Sequence, residues 1–164
     1  MIFGMDTFTL FHVLLSLIGI VSGFVVLAGM FDSRRLESWT AIFLITTVAT
    51  SVTGFLFPFT KLLPSHIVGI ISLVVLAIAA AARYSFRLKD SWRWIYVVTV
   101  LISLYLNVFV LVVQMFLKIP ALKALAPTGS EPPFLVAQTV VLVFFIYVGV
   151  RAGMRFRPQT MVAN

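Results

Sequence analysis

Residues 94–117 read WIYVVTVLISLYLNVFVLVVQMFL, a run without a single charged side chain. A helix that crosses a bilayer needs about 20 mostly apolar residues at 1.5 Å of rise each. This run meets that length with some to spare. Its apolar positions do not alternate with polar ones, so it does not read as a barrel strand. In hydrocarbon every backbone N–H and C=O has to be satisfied inside the protein, and for an unbroken run of this kind only a helix does that.

Four more runs have the same character. They cover about 9–30, 39–57, 65–82 and 134–150. The first ends at the polar stretch FDSRRLES, the second at Pro58, the third at Arg83 and the fifth at Arg151. Lys118, Ile119 and Pro120 close the run of 94–117, because proline cannot continue a helix. Five spans and their short loops use nearly all of the 164 residues. The expected fold is therefore all-α: residues 1–164 form a single transmembrane domain, a polytopic antiparallel bundle of five helices. Composition agrees. Hydrophobic residues make up 62% and charged ones 10%, with a mean hydropathy of +1.14, where a soluble domain has about 45–50% and about 25%. That balance excludes a soluble globular domain, a disordered chain and a separate nucleotide-binding lobe.

The net charge of +7 is not spread evenly. Arg34, Arg35, Arg83, Arg87, Lys89, Arg93, Arg151, Arg155 and Arg157 fall on one side of the predicted bundle, against Lys61, Lys118 and Lys123 on the other. By the positive-inside rule this puts the N-terminus outside and the C-terminus in the cytoplasm. Trp39, Trp92 and Trp94 then sit at the inner interface. The cations orient the chain and meet anionic headgroups, so no nucleic-acid partner is expected. The N-terminus MIFGMDTFTLF has neither a basic region nor a small-residue cleavage site, and the first span is expected to be retained. The expected location is a bacterial inner membrane. There are no cysteines, which excludes disulfides, iron–sulfur clusters and thiol nucleophiles.

Small residues indicate how the helices pack. Gly19 and Gly23 in the first span, and Gly149 and Gly153 near the end of the fifth, are four residues apart and allow close backbone approach. Such pairs serve packing within the bundle, a homo-oligomer or a larger membrane complex.

The polar residues inside the spans carry what chemistry there is. In 94–117, Ser103, Asn107 and Gln114 lie on one stripe with Tyr96 and Lys118. Polar stripes in membrane helices face the bundle interior or a water-filled cavity. Topology brings His12, His66, Gln114 and Gln138 to one outer depth from four different helices, with Asn107 below them and Ser65 and Glu131 above. Three chemistries fit. Two histidines on facing helices are a b-type haem's axial pair, with Ser16, Gly19 and Gly69 leaving room for the macrocycle and Lys61, Lys118 or Lys123 for the propionates. Histidines and amides in an apolar pocket also suit a quinone or another lipophilic small molecule. Or the same groups simply bond to one another across helices. A metal held by His12, His66 and Glu131 has no tight ligand spacing to support it. The spans contain no Asp or Glu, and there is no Gly-rich phosphate loop, HExxH or GxSxG, so no enzyme is indicated. The expected function is a non-catalytic accessory subunit or small-ligand-binding membrane module. The haem-binding electron-transfer protein and the quinone-binding redox subunit are its rivals.

Overall fold

A computed structural model describes residues 6–57 and 64–157. The described residues form helices and no strands: α1 (Thr7–Phe31), α2 (Glu37–Gly54), α3 (Pro64–Ala80), α4 (Trp92–Lys118), α5 (Pro120–Leu125) and α6 (Pro132–Arg155). A single π-helical turn, Ala81–Ser85, continues α3. Four of these helices are long and apolar enough to cross a membrane: α1, α3 with its π turn, α4 and α6. The chain is thus an α-helical membrane protein in character, suited to a lipid bilayer. α2 is not among the four. It begins on Glu37 and carries Thr40, Thr46, Thr47, Thr50 and Thr53, so its apolar content is diluted.

Local chemistry sets the helix ends. Asp6 caps α1, its carboxylate accepting from the Thr9 N–H at 2.7 Å and the Thr9 hydroxyl at 3.1 Å. Pro120 opens α5 and Pro132 opens α6, at positions where a missing N–H costs nothing. The expected outer loop therefore contains one short helix. Before α6, Glu131 accepts from the Thr128 N–H and hydroxyl and from the Ser130 N–H, at 2.9–3.0 Å, which folds the loop onto itself.

α1 and α2 pack antiparallel along their whole lengths. The Phe8 ring lies tilted against that of Phe57, His12 meets Thr53, Gly19 faces Thr46 and Thr47, Gly23 faces Phe43, and Gly29 faces Leu36. α2 also meets α3, α3 meets α4, and α4 meets α1, which closes a four-helix ring. α6 lies in the groove between α4 and α1. The small residues act where expected. A Cβ on Gly23 would stand 2.6 Å from Leu104 Cδ1 and 2.9 Å from Phe43 Cε2, and Gly153 gives way to the Trp94 ring.

Burial is uneven along the bundle. One end holds the α1–α2 and α3–α4 connections and the end of α6; this arginine-rich end is closed. Val26, Leu27, Met30, Phe43, Leu76, Ala79, Ala82, Val97, Val100, Leu104 and Ala152 form its core. Its connections are tight enough to force left-handed backbone at Ser33, Leu36, Arg87, Leu88 and Asp90. Phe86 stacks on Trp92 at 3.6 Å between ring centres, closing the α3–α4 connection. The other end, where the two histidines lie, is far less filled. No described residue of α1 before Gly19 or of α2 after Thr47 is buried.

Candidate functional site

The polar stripe of α4 connects the two ends. Tyr96 and Ser103 are fully buried, Asn107 is half-buried and Gln114 is exposed. From Tyr105 to Val113 every residue of α4 is partly open, on all sides of the helix.

Asn107 stands where the closed half ends. Its Nδ2 donates to Thr47 Oγ1 at 3.2 Å, and a Cβ on Gly19 would lie 3.6 Å from the same nitrogen. α1, α2 and α4 therefore converge at this level. Beyond it, toward the open end, the α1 stripe continues through Ser16 to His12 and α2 continues through Thr50 to Thr53. Ser16 and Thr50 return their hydroxyl protons to Val13 and Thr46 carbonyls.

His12 is half-buried, with Nδ1 2.8 Å from Thr53 Oγ1 and its ring edge-on to Phe57. The Thr53 hydroxyl has one proton, and it goes to the Ala49 carbonyl at 2.8 Å. With that proton committed to Ala49, Thr53 would accept from a proton on His12 Nδ1, one of the two tautomers this contact allows, and Nε2 would be the lone-pair acceptor. This is the tautomer a metal or a hydrogen-bond donor would meet.

The other expected site residues have described contacts of their own. His66 is buried, its ring 5.6 Å from that of Phe55, and the same Phe55 ring fills the space over Gly69. Gln138 is buried, with Nε2 donating to the Phe109 carbonyl of α4 at 3.2 Å. Its Oε1 is enclosed and has no protein partner among the described residues. His12 and Asn107 thus lie on the α1–α2–α4 side, His66 on the α2–α3 side and Gln138 at the α4–α6 seam. The room that glycines open is taken by Phe55 at Gly69 and by Thr46, Thr47 and Asn107 at Gly19. Lys61 and the Ser65 side chain lie outside the described residues. Among the described residues no three His, Asp or Glu side chains gather as a metal site would need.

One polar cluster escaped the sequence reading. Arg83, expected as a headgroup anchor, has a buried side chain. Its Nη1 donates to Tyr96 Oη at 3.4 Å and its Nη2 to the Arg35 carbonyl at 2.8 Å. The Thr40 hydroxyl donates to that same carbonyl at 3.2 Å and takes the Tyr96 proton at 3.4 Å. The four groups form a closed circuit through both terminal nitrogens of Arg83, while its Nε has no partner. Glu37 completes it with a 2.9 Å ion pair to Arg83 Nη2. Helical register held the clue. Arg83 continues the buried α3 positions Ser72, Leu76 and Ala79 at steps of four and three. Beside it, Arg93 donates to the carbonyls of Gly153 and Phe156, and Ser33 to that of Arg155, so the end of α6 is tied to both connections.

Comparison with known proteins finds no match: no family model, no curated protein and no solved structure is significantly similar.

Proposed function

We propose that the chain is a non-catalytic membrane module of five spans that binds a lipophilic small molecule in the open half of its bundle. The emergence of the α4 stripe, from buried Ser103 through Asn107 to exposed Gln114, carries this reading. A mostly apolar recess with a few convergent polar groups is the usual form of a small-molecule site. His12 offers an acceptor there, and Asn107 retains donor and acceptor capacity beyond its single bond to Thr47. The second span is α2. Together with the flanking Leu36 and Phe57, its partners on α1 run from Phe8 to Gly29, a length of about 30 Å at the helical rise, which supports α2 crossing the hydrocarbon beside α1. An odd number of spans with the arginine-rich end in the cytoplasm places the N-terminus and the open half outside, in a bacterial inner membrane.

The test is to extract the purified protein with organic solvent and compare wild type with Asn107→Leu by mass spectrometry. A stoichiometric non-phospholipid compound, lost in the variant, is expected. Identical extracts holding only phospholipid would refute the reading. The same sample separates the haem rival: a Soret band lost in both His12→Ala and His66→Ala makes the ligand a haem. Exposed Gln114 favours one further reading, an accessory subunit, because an amide facing lipid is costly and a docked partner would satisfy it. Native purification would then yield a stoichiometric companion that Gln114→Leu releases.

A further inference from the structure

The arginine-rich end carries a second site, independent of the open half. α2 starts there without a side-chain cap: its N-cap is Leu36, in left-handed backbone. The first N–H groups of a helix have no acceptor within it, and the aligned peptide dipoles make that terminus positive. Helix starts of this kind hold phosphate and other anions.

What surrounds this start is also positive. The Arg83 guanidinium, with only 3% of its side chain exposed, reaches the first residue of α2 at Glu37 and the carbonyl just before it at Arg35. The hydrogen-bond circuit leaves Arg83 Nε enclosed and unpartnered, and the same is true of Arg35 Nε. The Arg83 guanidinium therefore meets one uncapped helix start with its Nε unpartnered, and Arg35, whose Nε is also enclosed and unpartnered, stands two residues before Glu37; Asp32 and Asp90 are the other acids on these connections. The Glu37 side chain is 65% exposed. It is an internal anion held at the surface, positioned where an external one would have to enter. Arg34, Arg87 and Lys89 are exposed on the same connections.

We propose that the start of α2, with Arg35 and Arg83, binds a phosphate group, displacing Glu37 from Arg83. In the bilayer the nearest such group is the headgroup phosphate of an anionic phospholipid, and basic pockets at the ends of spans are suited to those headgroups. A water-soluble phosphate compound has the same chemistry. The lipid source is preferred because the site lies at the end of spanning helices with Trp39, 42% exposed, in the first turn of α2. Tryptophan in that position sits at headgroup level.

The test uses the full chain in nanodiscs of phosphatidylcholine alone, or of phosphatidylcholine with phosphatidylglycerol. Retained lipid is read by native mass spectrometry and the unfolding temperature by scanning fluorimetry. Phosphatidylglycerol is expected to be retained and to raise the unfolding temperature. Losing one charge-assisted contact in Arg35→Gln should weaken retention by about tenfold, and Glu37→Gln, which removes the competing anion, should strengthen it by about the same factor. Both variants spare Arg83, which also holds the fold. Inorganic phosphate added to phosphatidylcholine discs is the second arm. A stabilisation there equal to that by phosphatidylglycerol, with the same response to the two variants, assigns the site to a soluble phosphate compound. If neither source stabilises the wild type, or if Glu37→Gln leaves both affinities unchanged, the proposal fails and the cluster only holds the helices together.

Discussion

Gly23→Ala adds one methyl group where α1 closely approaches both α2 and α4, and its cost can be worked from the structure. The new Cβ would lie 2.6 Å from Leu104 Cδ1 and 2.9–3.0 Å from two carbons of the Phe43 ring. Carbon atoms pack best at about 3.5–4.0 Å, so one side or the other has to give by about 1 Å. Neither can yield easily, because Leu104 and Phe43 are both fully buried. Overpacking of this kind costs about 1–3 kcal/mol. Against it stands the gain from replacing glycine inside a helix, about 1 kcal/mol at most. The expected net loss is about 1–2 kcal/mol. Gly54→Ala is the internal control. There the nearest atom to a new Cβ is His12 Cε1 at 3.7 Å, an ordinary contact, and the variant should be neutral or more stable by a few tenths of a kcal/mol. Reversible unfolding of both variants in mixed micelles, followed by far-UV circular dichroism, measures the difference. Equal stability of the two would refute the close approach of α1 to α2 and α4, and with it the helix arrangement on which the open half depends.

Other outcomes follow from the two ends. Glu37→Gln should cost under about 1 kcal/mol, since the pair is open to solvent on the glutamate side and Arg83 keeps the Arg35 carbonyl and Tyr96; Arg83→Ala empties a buried site and breaks the circuit, and should cost at least three times as much in the same unfolding measurement. Arg93→Ala frees the end of α6 from its two carbonyl contacts, and limited proteolysis should then cleave near Phe156 faster than in wild type. Burial of Glu131 works to raise its pKa, but hydrogen bonds from the Thr128 N–H and hydroxyl and from the Ser130 N–H outweigh it and hold the carboxyl below the usual glutamate range. A depressed folded-state pKa means that this stabilisation is complete above the ordinary carboxylate pKa and is lost as pH falls through the lowered value. Amide exchange at Thr128 and Ser130 should accelerate only on strong acidification, and in Glu131→Gln the acid-induced step should vanish. A fluorescent protein fused to the C-terminus should fold and fluoresce in the cytoplasm; a dark fusion with an active periplasmic reporter would reverse the orientation.

The long helices were legible in the sequence because hydrocarbon tolerates few alternatives. The runs at 9–30, 65–82, 94–117 and 134–150 correspond to α1, α3 with its π turn, α4 and α6, each extended by a few polar residues at its ends. α2 was legible as a helix, though its threonines dilute the apolar signal. Those threonines face α1 and α4, where Thr47 meets Asn107 and Thr53 meets His12. The polar stripe of α4 could be seen in the spacing of Ser103, Asn107 and Gln114. Its gradual exposure could not, because spacing gives the direction of a side chain and not the distance to the next helix. Nor does a shared depth fix shared contacts. His66 turns to Phe55, and Gln138 to the Phe109 carbonyl. Arg83 was misjudged for a related reason. In a count of loop charges an arginine at the end of a span looks solvated, whereas its position on the buried stripe of α3 commits it to the interior.

The two ends of the bundle use polar groups in opposite ways, and the physics of each explains the other. At the arginine-rich end, the buried guanidinium of Arg83 is held by Tyr96, Glu37 and the Arg35 carbonyl, which Thr40 also meets. A buried charge tolerates no loose geometry, since each lost partner leaves a desolvated group behind. That requirement clamps the helices at one end. Several polar groups of the open half are neutral and satisfied singly: Ser16 and Thr50 bond within their own helix, and His12 bonds one neighbour. Groups satisfied one by one do not require the helices to close. The spacing of the helices there can adapt at little cost, while the clamped end holds their order and direction. On the proposed function, a ligand would enter at the open end while the clamped end keeps the helices in place. Loosening the clamp with Arg83→Ala should therefore lower both stability and ligand retention, whereas Asn107→Leu should lower retention with a smaller loss of stability, that of its one bond to Thr47.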